Sequence, residues 1–252
     1  MAVVLEGGCR VSTMNEGAPH VSGSLKIWNQ IGKASGAEAI SLRILEFGPG
    51  SSPELRNREC DEVLYLQEGA CMISIDGSAY EVGPQTGVYL RPGQTLRVEN
   101  AGADVVRFVS SQCPEEGFNT APVLDQPVRA EVCPIVKLSD RRALPTADRW
   151  YRVLVDDEIG SEQVTQFVGS IPPGRAPDHF HEYEEVLFIL RGEGRMWAGE
   201  TNTSISVGSC IYLPKRQVHC VENTGEGELR LLGVFYPAGS PAVRYEAADE
   251  RG

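Results

Sequence analysis

Three of the four histidines in this chain lie close together with a carboxylate. His179 and His181 are two residues apart, and Glu185 follows in the next apolar run. Alternate residues of a strand point to the same face, so the two imidazoles can reach one point, and His219 would arrive from a later strand. Three neutral imidazoles and one carboxylate suit a divalent first-row transition metal better than calcium or magnesium. We therefore expect one divalent transition metal ion per chain (Fe, Mn, Ni, Co or Zn), bound by His179, His181, Glu185 and His219.

These residues must be positioned by short strands, because short apolar runs separated by turn residues make up most of the chain. Such runs with turns every 8 to 12 residues or so are typical of a β-barrel or sandwich. Residues 1–37 are weakly patterned, and residues 113–148 form a connector that we expect to pack across a domain junction. In the first half, strands are predicted over residues 40–47, 61–66, 71–75, 79–82, 86–90, 95–99 and 104–111.

The second half of the chain repeats the first. Residues 184–192 correspond to 61–69, and residues 208–214 correspond to 86–92. Internal duplication of this kind indicates two copies of one fold. We predict an N-terminal domain over residues 1–115, and a second domain over residues 116–252 that contains the connector and the metal-binding barrel.

The first copy departs from the ligand pattern. When Glu62 is aligned with Glu185, Arg56 and Arg58 stand where the two histidines would be. One carboxylate among cations cannot hold a divalent metal, so we expect the N-terminal barrel to be metal-free, with Arg56, Arg58 and Glu62 as a vestigial site. Either Glu62 forms an ion pair with an arginine, or the arginines form an anion pocket, since guanidinium groups match carboxylate and phosphate.

The motifs of the second half resemble those of the cupin superfamily. The spacing from Gly174 to His179 is one residue shorter than usual, and Arg216 stands where the second motif has glycine. The resemblance covers nearly the whole chain as a bicupin, in which only the C-terminal domain has intact metal motifs. The matching residues of the first motif are Gly174, His179, His181, Glu185 and Gly192, and those of the second are Gly208, Pro214, His219 and Asn223.

The resemblance implies an all-β fold of two tandem double-stranded β-helix (jelly-roll) barrels. It also implies a metal with coordination positions left open for substrate, water or dioxygen. Many cupins with this ligand set are oxygenases. Ureidoglycine aminohydrolases and oxalate decarboxylases share the bicupin architecture, but the former depart from the His-x-His pattern and the latter usually keep metal in both domains.

Possible substrate or supporting contacts lie around the ligands. Strand alternation places Leu187 and Val221 on the same inward face as the metal ligands, which predicts a largely apolar pocket. Four polar or aromatic residues are candidate contacts, although packing or solvent exposure accounts for each equally well. They are Gln166, Arg175, Tyr183 and Trp197.

Composition excludes several classes of partner. The net charge of −12 disfavours nucleic acids and anionic membranes. No apolar run approaches the roughly 20 residues of a membrane span, and the first ten residues do not resemble a signal peptide. Seven scattered cysteines without a Cys-x-x-Cys pair indicate reduced, mostly buried thiols, so we expect a cytoplasmic protein. A monomer with an internal pseudo-dimer and a homodimer are both compatible with the sequence.

Three functions are open at this point. The first is a metal-dependent oxidoreductase of dioxygenase type that acts on a small organic molecule. The second is a non-redox isomerase, cyclase, decarboxylase or hydrolase that uses the metal as a Lewis acid. The third is a small-molecule-binding or sensor protein without catalysis. We rank them in that order, with a modest gap between the first two.

Overall fold

The computed structural model describes residues 1–56, 59–114, 132–146 and 148–242. Four short 3-10 helices cover Glu6–Gly8, Lys33–Ser35, Leu138–Asp140 and Asp157–Ile159. The strands of the first half, in chain order, are β1 (Val3–Val4), β2 (Arg10–Thr13), β3 (His20–Ser22), β4 (Leu25–Ile31), β5 (Leu42–Phe47), β6 (Gly50–Ser51), β7 (Leu55–Arg56), β8 (Asp61–Glu68), β9 (Cys71–Ile75), β10 (Ser78–Val82), β11 (Thr86–Leu90), β12 (Thr95–Asn100) and β13 (Val106–Cys113).

The second half continues with the same kind of short strand. These are β14 (Ile135–Lys137), β15 (Leu144–Thr146), β16 (Arg149–Val155), β17 (Thr165–Ile171), β18 (Gly174–Arg175), β19 (Glu184–Arg191), β20 (Glu193–Ala198), β21 (Thr201–Ser206), β22 (Ser209–Leu213), β23 (His219–Asn223) and β24 (Leu229–Tyr236).

The strands build two barrels with matching topology. The first has a large sheet in the order β14-β11-β8-β13-β5-β4-β3 and a small one in the order β10-β9-β12-β6, with β7 beside β12. The second has a large sheet β1-β2-β22-β19-β24-β17-β16-β15 and a small sheet β18-β23-β20-β21. The strand order repeats element by element, so the two tandem jelly-roll barrels predicted above are confirmed.

Each barrel takes a strand from the segment that precedes the other barrel. The strand β2 pairs with β22 of the second barrel, and β14 of the connector pairs with β11 of the first. The predicted domain boundary at residue 115 falls in 115–131, outside the described residues, and stays a prediction.

The weakly patterned first 37 residues contain four strands that the sequence did not indicate. In the longest, β4, Gln30 and Ile31 are both buried although they are neighbours, so burial does not alternate along the strand. The cause is a register shift between Asn29 and Ile31 in its pairing with β5. A bulge of this kind hides a strand from a search for a period of two.

Apolar side chains form three buried clusters. One lies inside the first barrel and includes Phe47 and Phe108. One lies inside the second barrel and includes Phe167 and Phe235. The third joins residues of both halves, such as Tyr65 and Phe188, and so forms the contact between the barrels.

All seven cysteines are free thiols, as predicted, and six of them are buried. The exposed one is Cys133 in the connector. In the described part of the chain, none of the helices combines the length and apolar character needed to cross a membrane.

Candidate metal centre

Three short pieces of backbone bring the histidines and Glu185 together. His179 and His219 form an antiparallel bridge, in which each backbone N–H donates to the other's carbonyl at 3.0 and 2.8 Å. His181 follows in an extended turn, and its carbonyl accepts the N–H of Arg216 at 2.7 Å. Glu185 is the second residue of β19, and its side chain points inward with Leu187. The small and large sheets of the second barrel therefore meet at this cluster.

The potential ligand atoms are close enough to share one ion. One ring nitrogen from each of the three histidines lies within 4.8 Å of the others. The Oε2 atom of Glu185 lies 3.8 Å from Nε2 of His181 and 3.6 Å from Nε2 of His219. These distances exceed a hydrogen bond and are compatible with several ligands around a common centre.

Backbone carbonyls select the tautomer of two imidazoles. The Nδ1 atom of His179 lies 3.1 Å from the carbonyl oxygen of Pro177, and Nδ1 of His219 lies 2.7 Å from that of Gln217. A carbonyl only accepts, so each Nδ1 carries the proton and donates it. The Nε2 lone pairs are then free to bind a metal, which is how ligating histidines are commonly oriented.

Burial controls the charge of the cluster. It lowers the pKa of His219 well below its ordinary value, and the neighbouring His179 adds to the effect, so the ring stays neutral. Burial also raises the pKa of Glu185 to about 8. Its Oε2 atom is buried and has no hydrogen-bond donor. An orphaned carboxylate oxygen beside three neutral imidazoles fits a divalent transition metal ion, which would supply the missing positive partner.

Aromatic side chains support the ring of His181. Tyr183 stacks on it with the ring centroids 4.9 Å apart and the planes 11° apart. Tyr183 in turn contacts Phe235 at 4.5 Å and donates its hydroxyl to the carbonyl of Ser240 at 3.0 Å. Tyr183 therefore lies directly behind a candidate ligand, and its proposed role in substrate contact stays a prediction.

Arg216 preserves the turn that the cupin pattern assigns to glycine. Its φ angle is 63°, in the left-handed region that glycine adopts most easily. The strain for a non-glycine residue is on the order of 1 kcal/mol. The hydrogen bond from its N–H to His181 and the ion pair of its guanidinium with Glu182 at 2.8 Å offset that strain. The substitution therefore leaves the path to His219 intact.

A cavity of about 90 Å³ lies over the cluster. His179, His181, Glu185 and His219 all contribute to its wall. The remaining wall is largely apolar and includes Phe167, Ile171, Leu187, Val221, Leu231 and Phe235.

None of the four suggested contacts belongs to the wall of this cavity, and Tyr183 lies behind the ring of His181. Gln166 is fully buried and points toward the first barrel, where a Cβ atom on Gly87 would lie 3.0 Å from its Oε1. The guanidinium of Arg175 stacks over the ring of Trp197 at 4.2 Å, and the indole N–H of Trp197 donates to Glu222 at 2.8 Å. Gln166 sits between the inward-facing Thr165 and Phe167, so strand alternation directs it outward.

Four polar wall residues were not expected from the sequence, and two of them are Thr146 and Ser170. Arg149 and Tyr151 of β16 both line the cavity. They directly follow the predicted connector, residues 113–148, in a stretch for which no strand was predicted. The alternation of these two residues ahead of an apolar run was the signal that could have indicated an inward-facing strand.

The corresponding position in the first barrel holds an ion pair. Glu62 is buried and accepts hydrogen bonds from Arg43, Ser110 and Gln112. Arg56 is exposed on β7 beside Thr95, and Arg58 lies outside the described residues. A Glu62–arginine pair was one of the two interpretations above, but its partner is Arg43 of β5. That the first barrel is metal-free stays a prediction, to which this satisfied carboxylate lends support.

The pairing registers relate the two interiors. In the first barrel, Arg43 is the cross-strand partner of Ser110, and Gln112 is that of Glu62. In the second barrel, Phe167 is the partner of Gly233, and Phe235 is that of Glu185. The aromatic pair, with centroids 4.8 Å apart, thus stands where the first barrel has polar side chains.

Known proteins resemble this chain in both sequence and fold. Residues 167–235 match the cupin domain model. Auxin-binding protein 1 of Arabidopsis thaliana is 31% identical over 86 residues, which cover 30% of this chain and 43% of that protein. An oxalate-binding protein of Thermotoga maritima is 34% identical over 67 residues, which cover 26% of this chain and 55% of that protein. The chain thus spans about half the length of these two curated relatives.

A solved structure extends the similarity to both barrels. A mutant of Bacillus subtilis oxalate decarboxylase superposes with a TM-score of 0.73 at 13% identity, covering 91% of this chain and 78% of that one. Identity this low supports the fold alone. The matched domain, the duplicated jelly-roll barrels and the histidine cluster in the second of them agree, and they support the cupin superfamily, with residues 167–235 as the cupin domain.

Proposed function

We propose that this chain is a metal-dependent bicupin enzyme that acts on a small organic molecule at a mononuclear site. His179, His181, Glu185 and His219 would hold the ion. The observation that carries the proposal is the orphaned Oε2 atom of Glu185, buried beside three imidazoles at the wall of a small cavity. A buried carboxylate without a partner is unfavourable, so its retention favours a bound cation.

The protein side chains divide the work at this site. His179 and His219 are oriented by their Nδ1 hydrogen bonds, and Tyr183 holds the ring of His181. The apolar wall excludes water and binds the body of a substrate. When bound, the ion supplies a Lewis-acid or redox centre with open coordination positions.

Dioxygenase-type oxidation is the reaction we favour. The wall provides the ligand set and apolar side chains, with Arg149, Tyr151, Thr146 and Ser170 as further polar groups. Oxidation centred on a metal ion asks less of protein acids and bases than hydrolysis or isomerisation does. An apolar pocket also suits a reaction from which water must be excluded.

Non-redox decarboxylation is the second candidate. A relative named as oxalate-binding and a fold neighbour that is an oxalate decarboxylase both favour it. In that case the ion would act as a Lewis acid on a substrate carboxylate, and dioxygen would not be consumed.

Metal content tests the site. We expect about one transition metal ion per chain in the purified wild-type protein and less than about a tenth of that in His219→Ala, because a neutral ligand at the centre is lost. The control is His20→Ala, which removes an exposed histidine on β3 and should retain the ion. Equal metal content in the two variants, measured by plasma mass spectrometry, would exclude the site.

Oxygen consumption separates the two reactions. After reconstitution with Fe(II), we expect oxygen uptake with a small phenolic, diketone or carboxylate substrate. Turnover that continues unchanged under argon would eliminate the dioxygenase and favour the decarboxylase. Zinc as the native ion would also argue against oxidation, because zinc has no redox chemistry.

A further inference from the structure

Arg149 occupies an unusual position for an arginine. It begins β16, lines the same cavity as the candidate metal ligands, and has a side chain only 10% exposed. Its Nε atom lies 3.3 Å from Oδ1 of Asp148, whose own side chain is 67% exposed. The guanidinium is thus held at the cavity wall, largely out of solvent, beside a carboxylate that remains mostly in water.

The strand geometry distinguishes Arg149 from its neighbours. Alternate residues of β16 face opposite sides, so Arg149 and Tyr151 share the inner face. Arg152 does not line the cavity: its guanidinium stacks over Trp150, which itself borders the cavity, at 5.4 Å, and donates to the carbonyl of Leu138 at 2.9 Å. Among the described residues that line the cavity, Arg149 is the only lysine or arginine.

With a divalent ion bound, the cavity would carry a charge opposite to that of the chain. The chain carries a net charge of −12. On the cavity wall the charged side chains are the cation of Arg149 and the carboxylate of Glu185, and a divalent ion would make the total strongly positive. In a partly dehydrated cavity such a charge is weakly screened. An anionic substrate is favoured there, and a cationic one is excluded.

The size and lining of the cavity narrow the class of anion. A cavity of about 90 Å³ is smaller than the roughly 150 Å³ that holds a benzene ring. The part of the substrate inside the barrel therefore has fewer non-hydrogen atoms than the six of benzene. A guanidinium matches both carboxylate and phosphate. The apolar side chains favour the carboxylate, which is less strongly hydrated and needs fewer donors.

We infer that the second barrel selects a small organic carboxylate, whose carboxylate group pairs with Arg149 while its apolar body contacts Phe167, Leu231 and Phe235. This inference adds a substrate class to the proposed function, and it depends on the proposed function only for the presence of the metal ion. Arg149 acts as a specificity-determining residue from the edge of the barrel.

A pair of isosteric ligands tests the inference. Butyrate and its neutral analogue butyramide each have about six non-hydrogen atoms and differ in charge. We would titrate both into zinc-loaded protein and follow their NMR signals. Wild type should bind butyrate at least about tenfold more tightly than butyramide, because a charge-assisted pair forms with butyrate alone.

Two variants isolate Arg149 from the overall charge. Arg149→Gln should weaken butyrate binding by about tenfold or more and leave butyramide binding within about twofold. Arg142→Gln removes the same charge from an exposed position and should behave as wild type. Equal butyrate affinity in Arg149→Gln and wild type would overturn the inference. If Arg149→Gln does not fold, Arg149→Lys serves instead, since it keeps the charge and loses the planar fork. An unchanged butyrate affinity there contradicts the inference, and a several-fold loss supports it.

Metal content, read first in each sample, separates this inference from the proposed function. Wild type that binds no zinc contradicts the proposed metal site. In that case, butyrate and butyramide are titrated into zinc-free wild type, Arg149→Gln and Arg142→Gln. These titrations still decide the role of Arg149. Full zinc loading with no effect of Arg149→Gln contradicts the carboxylate assignment and leaves the metal site standing.

Discussion

At the scale of single residues, Glu185 and Glu62 occupy equivalent positions with opposite environments. Glu62 accepts hydrogen bonds from Arg43, Ser110 and Gln112. Glu185 has one oxygen without a donor. A carboxylate with a full set of donors stabilises a fold, whereas an unpaired buried one destabilises it. The second barrel thus retains a local instability at the place where a cation would bind.

Glu185→Gln should stabilise the metal-free protein while it abolishes metal binding. Burial raises the pKa of Glu185 to about 8, so the folded state keeps a proton that the unfolded state releases near its ordinary value of 4.5. The resulting penalty grows as pH rises from 4.5 toward 8. We expect a gain of ~1–3 kcal/mol in the free energy of unfolding at about pH 8, and a smaller gain at about pH 5.5.

Urea denaturation in the presence of a chelator measures this gain. Glu182→Gln, which changes an exposed carboxylate paired with Arg216, is the control and should stay within about 0.5 kcal/mol. A Glu185→Gln variant that is less stable than wild type at both pH values would contradict the argument.

At the scale of elements, β17 and β24 shape the cavity through a glycine. Gly233 faces Phe167 across their pairing. A Cβ atom on Gly233 would lie 2.3 Å from the ring of Phe167, whereas one on Gly169 would lie 3.4 Å from Leu231. The first is a severe overlap with a rigid ring and the second is an ordinary contact. The wall of the cavity therefore depends on the absence of a side chain at residue 233.

Gly233→Ala should displace Phe167 and reduce the cavity. Overpacking of this kind destabilises a protein by ~1–3 kcal/mol. Gly169→Ala is the matched control on the neighbouring strand, and we expect it to stay within about 1 kcal/mol of wild type, since alanine is at no disadvantage in a strand. Thermal unfolding gives the comparison, and equal melting temperatures for the two variants would show that Phe167 yields without strain.

At the scale of the whole molecule, the buried carboxylate of Glu184 and the hydroxyl of Tyr89 join the two barrels. Glu184 accepts the backbone N–H groups of Glu38 and Ala39 at 2.7 and 2.8 Å, and the hydroxyl of Tyr212 at 2.6 Å. In the other direction, Tyr89 donates to Asp61 at 2.5 Å and approaches the carbonyl of Gly160 at 3.4 Å. With the exchanged strands β2 and β14, these contacts indicate that neither barrel is independent of the other.

Glu184→Ala should destabilise the entire chain. It leaves two partly buried N–H groups and one buried hydroxyl without acceptors, which costs ~3 kcal/mol. The control is Glu38→Ala, in the loop that Glu184 contacts. It removes an exposed carboxylate paired with Lys215 and should cost less than about 1 kcal/mol. Calorimetry should give a single unfolding transition in all three proteins. Two separate transitions in wild type would show that the barrels unfold independently.

The sequence by itself indicated the candidate ligand set and the duplication. His179, His181 and Glu185 are close in the chain, and their spacing is a local property that needs no knowledge of the fold. The apolar runs of the two halves match in order, and this establishes two copies of one architecture. Most strands of the first half lie where their apolar pattern predicted them, because half-buried strands carry a period of two.

Only the tertiary structure decided which strands and side chains meet across the chain. The pairing of β2 with β22, the choice of Arg43 over Arg56 as the partner of Glu62, and the entry of Arg149 into the cavity join residues far apart in sequence. Each depends on strand register, where a slip of one residue turns a side chain to the opposite face. No short pattern encodes that register, since it follows from how both barrels pack together.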